Sequence, residues 1–243
     1  MLERIDGAGG GHGLRRRELL IGGALWGAAS SASATPVVPV AVSESVNRPF
    51  VQEVLEQLAM LVPVRWDLQP VPFTRLLQMA ERGQAFAFGI GRTPAREALL
   101  SFSVPLFYSR LWTVSLKGAS PAVSRLSDLN GKRLCVGRYI TFGAEVDAAL
   151  DGKQVEPVYV NSDLSARLRV LKAGRCDALL MAHRNEDVRL LEQRLKEAGG
   201  DLNELVLSRQ AIAVQTEHMA VAKGCDLEKY LQGISDAIDA RRP

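Results

Sequence analysis

Short apolar runs alternate with amphipathic segments along the chain from residue 37 onward. The run at 37–42 is almost continuously apolar, and residues 64–68 alternate between apolar and polar, so both predict strands. Between them, apolar residues recur at helical spacing over 51–61 behind Asn47, which predicts a capped helix. This alternation predicts an α/β protein with largely parallel sheets.

The same alternation continues through the rest of the chain. A helix is predicted at 73–82 and ends at Gly83, because glycine readily takes the left-handed conformation that closes a helix. Further strands are predicted at 85–90, 111–116, 133–137, 155–160, 177–181 and 205–207. Further helices are predicted at 162–173 behind Ser162, at 185–198, and from Asp226 onward.

The first 34 residues have the pattern of an export signal. Three arginines at 15–17 precede an apolar, Gly/Ala-rich run at 19–29, and Ala32-Ser33-Ala34 supplies the small residues of a cleavage site. We therefore predict cleavage after Ala34 and a periplasmic protein. The arginines, followed by Glu18-Leu19-Leu20, resemble the twin-arginine export signal, with an ordinary secretory signal as the alternative.

The charge balance excludes some classes of partner. After removal of residues 1–34, the remaining 209 residues contain 26 basic and 24 acidic side chains, a net charge of +2. A nucleic-acid-binding protein usually has a strongly basic face, and a membrane-surface protein usually has a polybasic patch. We predict neither nucleic acid nor membrane as a partner.

The residue types that carry chemistry are few and scattered. Three cysteines, Cys135, Cys176 and Cys225, allow at most one disulfide, match no metal motif, and are interpreted mainly as small buried hydrophobes. Neither His183 nor His218 has a partner at metal or triad spacing, and no phosphate loop or nucleophile elbow is present. We predict no cofactor, no metal and no catalytic residue.

Four stretches, in order, carry a resemblance to a known family. They are GQAFAF running into TPARE within 83–97, FSVPL at 102–106, SDLNGKRL at 127–134 and LKAGRCDA at 171–178. The pattern resembles the family-3 solute-binding proteins, periplasmic receptors that deliver polar amino acids to ABC importers. The resemblance covers about residues 37–240.

The resemblance implies a two-lobed periplasmic-binding-protein type II fold. Two mostly parallel sheets, flanked by helices, would be joined by a hinge of two crossing strands, near 113–116 and 206–213. The first lobe would comprise 35–114 plus 212–243, and the second 115–211. A small carboxylate ligand would lie between the lobes of a monomer that docks on an ABC permease.

The resemblance also implies where the ligand carboxylate is held. Arg96 occupies the position of an arginine that takes the carboxylate, and a guanidinium matches two carboxylate oxygens with a planar fork of donors. Thr93 and Gly91 would add a hydroxyl and backbone amides, although Gly91 replaces the family's frequent serine. Thr141 would reach the ligand from the start of a helix, or would cap that helix.

Other positions bear on ligand specificity. The acid that usually holds the ligand ammonium is replaced by Ala182, which argues against a standard amino-acid ligand. Glu44 could compensate or be a solvated loop residue, and Phe73 could contact the ligand or belong to the core. Arg92 and Arg138 could add positive charge at the mouth of the cleft, which would favour a dianion.

Two alternatives to a transport receptor remain. The same scaffold occurs in periplasmic dehydratases of cyclohexadienyl carboxylic acids, which need a general acid or base beside Arg96. Glu44, Glu145 and His183 are the candidates for that role. The other alternative is a ligand-sensing module that reports occupancy to a membrane partner.

Overall fold

A computed structural model describes residues 35–118, 123–160 and 163–240. The predicted export signal, with its cleavage point after Ala34, lies outside these residues, and so does Ser162. The strands are β1 (Val37–Ser43), β2 (Arg65–Val71), β3 (Phe86–Ile90), β4 (Leu100–Phe102), β5 (Phe107–Leu116), β6 (Arg133–Gly137), β7 (Glu156–Val160), β8 (Ala178–His183), β9 (Leu205–Leu207) and β10 (Ala213–Ala222). The helices are α1 (Arg48–Ala59), α2 (Phe73–Glu81), α3 (Pro94–Leu99), α4 (Ala144–Asp151), α5 (Leu164–Lys172), α6 (Val188–Glu197) and α7 (Leu231–Asp239). None of these described helices is long and apolar enough to cross a bilayer.

The helix ends follow from local capping. Asn47 accepts a hydrogen bond from the Phe50 amide at 3.0 Å, so α1 begins where the sequence predicts. The helix predicted behind Ser162 begins instead at Leu164, and Asp163 is its cap. Helix α6 is shorter than predicted because the side chain of Asp187 caps it. Asp226 does not open the last helix, since a 3-10 turn at Glu228–Tyr230 precedes α7.

One continuous path of strands connects two lobes, in the order β2-β1-β3-β10-β5-β8-β6-β7. The first lobe contains β1–β4 and α1–α3, and the second contains β6–β9 and α4–α6. Strands β1, β2 and β3 are parallel to one another, and so are β6, β7 and β8. Every antiparallel pairing among the described strands includes β5 or β10. The parallel character therefore belongs to the outer part of each lobe.

The strands β5 and β10 cross between the lobes as an antiparallel pair. They pair with each other over 107–111 and 213–217. Over 218–222 β10 pairs with β3 and β4 of the first lobe, and over 110–116 β5 pairs with β8 and β9 of the second. The two strands therefore pass between the lobes at 107–111 and 213–217. The first position comes before the predicted crossover near 113–116, and the second comes after the predicted crossover near 206–213. The lobe limits themselves, 35–114 plus 212–243 and 115–211, stay a prediction.

Each lobe buries apolar side chains on both faces of its strands. In β1, Val38, Val40 and Val42 face the core formed with α1 and α7, while Ala41 faces the core formed with α2. This alternation is the period-2 geometry of a strand covered on both sides. Because Ile234 and Ile238 of α7 join the first of these cores, the C-terminal segment returns to the first lobe.

A disulfide joins Cys135 of β6 to Cys176, which precedes β8, with a Cα–Cα distance of 5.8 Å. Both residues are buried in the second lobe, whereas Cys225 forms no disulfide and is partly exposed. The count of one bridge and one free thiol agrees with the limit set by three cysteines. Cys135 and Cys176 are buried as expected, and the structure adds that they are bonded to each other, a pairing that the sequence left open because 41 positions separate them.

Candidate functional site

The carboxyl ends of strands from both lobes face one crevice. Ser43 ends β1, Gly91 follows β3, and Ala182 lies near the end of β8; all three line it. The crevice has two adjoining compartments, a larger one of about 550 Å³ and a smaller one of about 190 Å³. Ligands of α/β proteins bind preferentially outside the carboxyl ends of strands and between lobes, so this crevice is the candidate site.

Arg96 lines the smaller compartment and connects the two lobes. Its Nη1 donates to the Gly91 carbonyl at 2.8 Å, and its Nη2 donates to the Tyr139 carbonyl of the second lobe at 2.8 Å. The guanidinium also lies 5.9 Å from the centre of the Phe73 ring, which lines both compartments. Burial lowers the pKa of Arg96, and the charges of nearby carboxylates, of which Glu217 has the largest effect, offset only part of this.

Helix α3 holds Arg96 in this place. Thr93 is its cap, since the Thr93 hydroxyl oxygen accepts from the Arg96 amide at 3.2 Å, and Pro94 fits the first helical position. Thr93 itself lines neither compartment. Thr93 is thus placed as the cap of α3, and its predicted contact with the ligand stays a prediction.

Gly91 of the first lobe and Thr141 of the second lobe both line the smaller compartment and lie in contact with each other. A Cβ atom at Gly91 would lie 2.5 Å from Cγ2 of Thr141, far inside van der Waals contact. The glycine therefore accommodates the threonine methyl group. The absence of serine at position 91, which the sequence leaves unexplained, has this steric reason.

The hydroxyl of Thr141 is engaged by Asp147. It donates to Oδ2 of Asp147, while the Phe142 amide donates to Oδ1 at 2.9 Å. Gly143 occupies the cap position of α4, so Thr141 is not the cap, although its oxygen accepts from the Gly143 amide at 3.3 Å. The Thr141 hydroxyl is thus already hydrogen-bonded to a carboxylate of the protein itself, although Asp147 lines neither compartment of the crevice.

The structure does not bring the remaining predicted residues into the crevice. Glu44 is exposed and lines neither compartment, although its neighbours Ser43 and Ser45 line both. The Nε atom of Arg92 lies 3.5 Å from Oε1 of Glu97, and the guanidinium group of Arg138 lies over the Tyr159 ring. Neither residue lines the crevice. Their predicted contribution to the cleft charge is not seen, because both side chains point to neighbours outside it.

Two arginines that the sequence analysis missed line the smaller compartment from the second lobe. Arg167 of α5 donates from Nη1 to the Leu180 carbonyl, and Arg194 of α6 donates from Nη1 to the Ala182 carbonyl at 3.0 Å. Burial, and then repulsion from Arg194, lower the pKa of Arg167 to about 10. Burial also lowers the pKa of Arg194.

Arg184 and His183 add positive or titratable character to the larger compartment. The guanidinium carbon of Arg184 lies 3.0 Å from the centre of the Phe50 ring of the first lobe. Burial, and then repulsion from Arg194, lower the pKa of Arg184. The pKa of His183 is lowered mainly by burial, and the charges of Arg194 and Arg184 act in the same direction.

The crossing strand β10 contributes a buried carboxyl group that was also missed. Glu217 lines both compartments and is 8% exposed. Burial raises its pKa to about 7, and hydrogen bonds from Gln215 and Ser109 together with the charge of Arg96 offset only part of the effect. The side-chain Nε2 of Gln215 donates to Oε1 of Glu217 at 2.6 Å. The side-chain oxygen Oε1 of Gln215 is buried without a partner among the described residues.

The sequence holds a signal for the two missed arginines. Arg167 lies between Leu164 and Leu168, at a position that the helical period assigns to the buried stripe, and Arg194 has the same relation to Leu191 and Leu195. A charged residue in such a stripe is unusual and marks a site candidate. Glu217 had no comparable signal, because β10 was not predicted as a strand.

The arrangement can bind an anion and offers no metal site. Guanidinium groups approach the smaller compartment from both lobes, with Arg96 on one side and Arg167 and Arg194 on the other. Within the residues that the structure describes, no group of three His, Cys, Asp or Glu side chains could hold a metal ion. Charge-assisted hydrogen bonds to an anionic ligand are the chemistry that these groups supply.

No protein-family model matches the chain, and a comparison with curated proteins finds no match. Among solved structures, one similar protein is the substrate-binding protein of an amino-acid ABC transporter, with 21% identity, a TM-score of 0.60, and coverage of 84% of this chain and 92% of that one. An ancestral arginine-binding protein bound to arginine matches with 19% identity, a TM-score of 0.64, and coverage of 84% and 91%. A histidine kinase sensor domain with similarity to periplasmic binding proteins matches with 18% identity, a TM-score of 0.68, and coverage of 85% and 90%. These likenesses confirm the two-lobed periplasmic-binding-protein fold.

Proposed function

We propose that this protein is an exported solute-binding protein that encloses a small carboxylate-bearing ligand between its lobes and presents it to an ABC importer. The observation that carries the proposal is the position of Arg96 in the crevice, where its side chain bonds to backbone of both lobes. The proposal fits the solved structures that resemble this fold, which include amino-acid-binding receptors.

Arg96 is suited to hold a carboxylate. A guanidinium has five N–H donors, and two of those of Arg96 bond to the neutral carbonyls of Gly91 and Tyr139. Hydrogen bonds to an ionised acceptor are roughly twice as strong as those to a neutral one. A ligand carboxylate would therefore replace these carbonyls and keep the guanidinium engaged between the lobes.

Export fits two features of the chain. The pattern at 1–34 is that of a signal peptide, with paired arginines that fit the twin-arginine route. Disulfides such as Cys135–Cys176 persist in oxidising compartments, of which the bacterial periplasm is one. We therefore place the mature protein in the periplasm, as a monomer that works with a separate permease.

The test is a thermal-shift screen of the purified protein against amino acids, dicarboxylates and aromatic acids, followed by calorimetry of each hit. A ligand at a hundredfold excess over its Kd stabilises the native state by about 2.7 kcal/mol. We expect Arg96→Ala to weaken binding at least about 30-fold, because it removes one partner of a buried charge pair.

The control is Arg82→Ala, which removes an exposed arginine at the end of α2, outside the crevice. Affinity should be unchanged in this variant. An Arg96→Ala protein with unchanged affinity would contradict the proposed role of Arg96, and a screen in which nothing binds would contradict the receptor function.

One observation favours a second candidate function, a dehydratase of cyclohexadienyl carboxylic acids. Glu217, whose pKa burial raises to about 7, lies in the same compartment as Arg96, which is what a general acid or base beside the substrate carboxylate requires. Of the groups that the sequence suggested for this role, His183 lines the crevice, whereas Glu44 and Glu145 do not. Product formation from prephenate or arogenate would support the enzyme; saturable binding without turnover would support the receptor.

A further inference from the structure

The floor of the smaller compartment in the second lobe is built from two inward-facing guanidinium groups. Arg167 and Arg194 come from different helices, α5 and α6, and donate hydrogen bonds to the carbonyls of Leu180 and Ala182, two residues apart near the end of β8. These bonds hold both guanidinium groups near the carboxyl end of β8, and Arg167 and Arg194 line the same compartment as Arg96 of the first lobe.

These groups repel one another and lie close together. The charge of Arg194 contributes to the lowered pKa of Arg167, Arg184 and His183 alike. None of the ion pairs within 4.0 Å in the described part of the chain involves Arg96, Arg184 or Arg194. Arg194 uses a single donor, Nη1, for its hydrogen bond to the protein, which leaves further donors for a ligand.

The compartment has little negative charge to balance this cluster. Position 182, where the resemblance places an acid for a ligand ammonium, is an alanine whose carbonyl accepts from Arg194. Glu217 is the carboxyl group that lines the smaller compartment, and its raised pKa of about 7 leaves it partly uncharged near neutral pH. A ligand with a single carboxylate balanced by an ammonium would bring no net negative charge to Arg194, which forms no ion pair within 4.0 Å in the described part of the chain.

We infer that the ligand of this crevice carries two anionic groups, one held by Arg96 and the other by Arg194 with Arg167, so that a small dicarboxylate fits it. This inference rests on the proposed receptor function and specifies its ligand class. The anionic group bound by Arg96 orients the ligand on the first lobe. The second anionic group binds Arg194 and Arg167 and so attracts the second lobe to the ligand. Lobe closure is thereby coupled to the presence of both charges.

The direct test compares matched ligands on the unmodified protein by calorimetry. Succinate is compared with butyrate, and glutamate with glutamine, since each pair differs by one anionic group at nearly constant size. Because a hydrogen bond to a charged group contributes more than a neutral one, the ligand with the second carboxylate should bind about 10- to 100-fold more tightly in at least one of the two pairs.

A pair of variants on the same helix tests the assigned residue. Arg194→Gln removes the charge while retaining an amide that can donate to the Ala182 carbonyl, and Arg189→Gln is the matched control, because Arg189 is exposed on α6 and pairs with Asp187. Arg194→Gln should reduce the preference for the second carboxylate at least about tenfold, whereas Arg189→Gln should leave it intact. Unfolding midpoints of both variants verify that the fold is retained.

The outcomes separate this inference from the receptor function. Tight binding of a neutral amino acid or a monocarboxylate that needs Arg96, with no gain from a second carboxylate, would overturn the inference and leave the receptor standing. A preference for the second carboxylate that survives Arg194→Gln would overturn the assigned subsite. If neither these four ligands nor any ligand of the thermal-shift screen bound, both the inference and the receptor function would be overturned.

Discussion

The two walls of the crevice differ in composition and in support. The first-lobe wall combines Ser43, Phe73 and Gly91 with a single arginine, Arg96. The second-lobe wall concentrates Arg167, Arg184 and Arg194 with His183. The first-lobe wall therefore supplies mostly uncharged lining residues and one guanidinium group, whereas the second-lobe wall supplies most of the positive charge.

The difference has a consequence for stability. Buried charges are costly, and the lowered pKa values of the second-lobe arginines express mainly the cost of burial, to which repulsion from Arg194 adds at Arg167 and Arg184. The second lobe also contains the disulfide, which ties β6 to the start of β8, the strand whose carbonyls Arg167 and Arg194 bind. The charged wall is thus built on the cross-linked lobe.

Among the variants that test this difference between the walls, the one without the disulfide should show the largest change in the free energy of unfolding. Replacing Cys135 and Cys176 together by alanine should lower the free energy of unfolding by about 3–4 kcal/mol, because a cross-link across this sequence separation restricts the unfolded chain. Urea unfolding measures the loss. Cys225→Ala in the first lobe is the control, with an expected loss of about 1 kcal/mol or less. Equal losses of unfolding free energy in the disulfide variant and in Cys225→Ala would contradict the view that the disulfide gives the second lobe added stability.

The next effect concerns the buried carboxyl group between the walls. The folded pKa of Glu217 is raised from 4.5 to about 7, so its ionisation destabilises the native state as pH rises through this window. Glu217→Gln should match the parent protein near pH 4.5 and become more stable than it by up to about 3 kcal/mol at pH 8. Urea unfolding of both proteins at several pH values tests this. A stability difference that does not change with pH would contradict it.

The smallest effect concerns the contact between the walls at Gly91 and Thr141. Gly91→Ser should cost about 1–3 kcal/mol of stability, because the new Cβ collides with Cγ2 of Thr141. Thr141→Ser removes that methyl group and keeps the hydroxyl, so the double variant should regain most of the loss. Thermal unfolding of the single and double variants measures the recovery. A double variant as unstable as Gly91→Ser alone would show that another strain is responsible.

Part of the candidate site could be predicted, for a reason visible in the chain. Phe73 and Gly91 lie just after β2 and β3, and Arg96 lies in α3, the next helix after β3, so their positions follow from local element order once the resemblance is recognised. Thr93 and Glu44 are equally close in sequence and yet lie outside the crevice. Whether a loop side chain points inward depends on capping and turn geometry, which the local pattern does not specify.

By itself, the sequence determined the alternation of strands and helices, the cap at Asn47 and the limit of one disulfide. These features depend on periodicity and composition within short segments. The tertiary structure alone decided the crossing of β5 with β10, the pairing of Cys135 with Cys176, and the convergence of Arg167, Arg194 and Glu217 on one compartment. Each of these joins residues far apart along the chain, and such contacts form only when the packing of both lobes brings distant segments together.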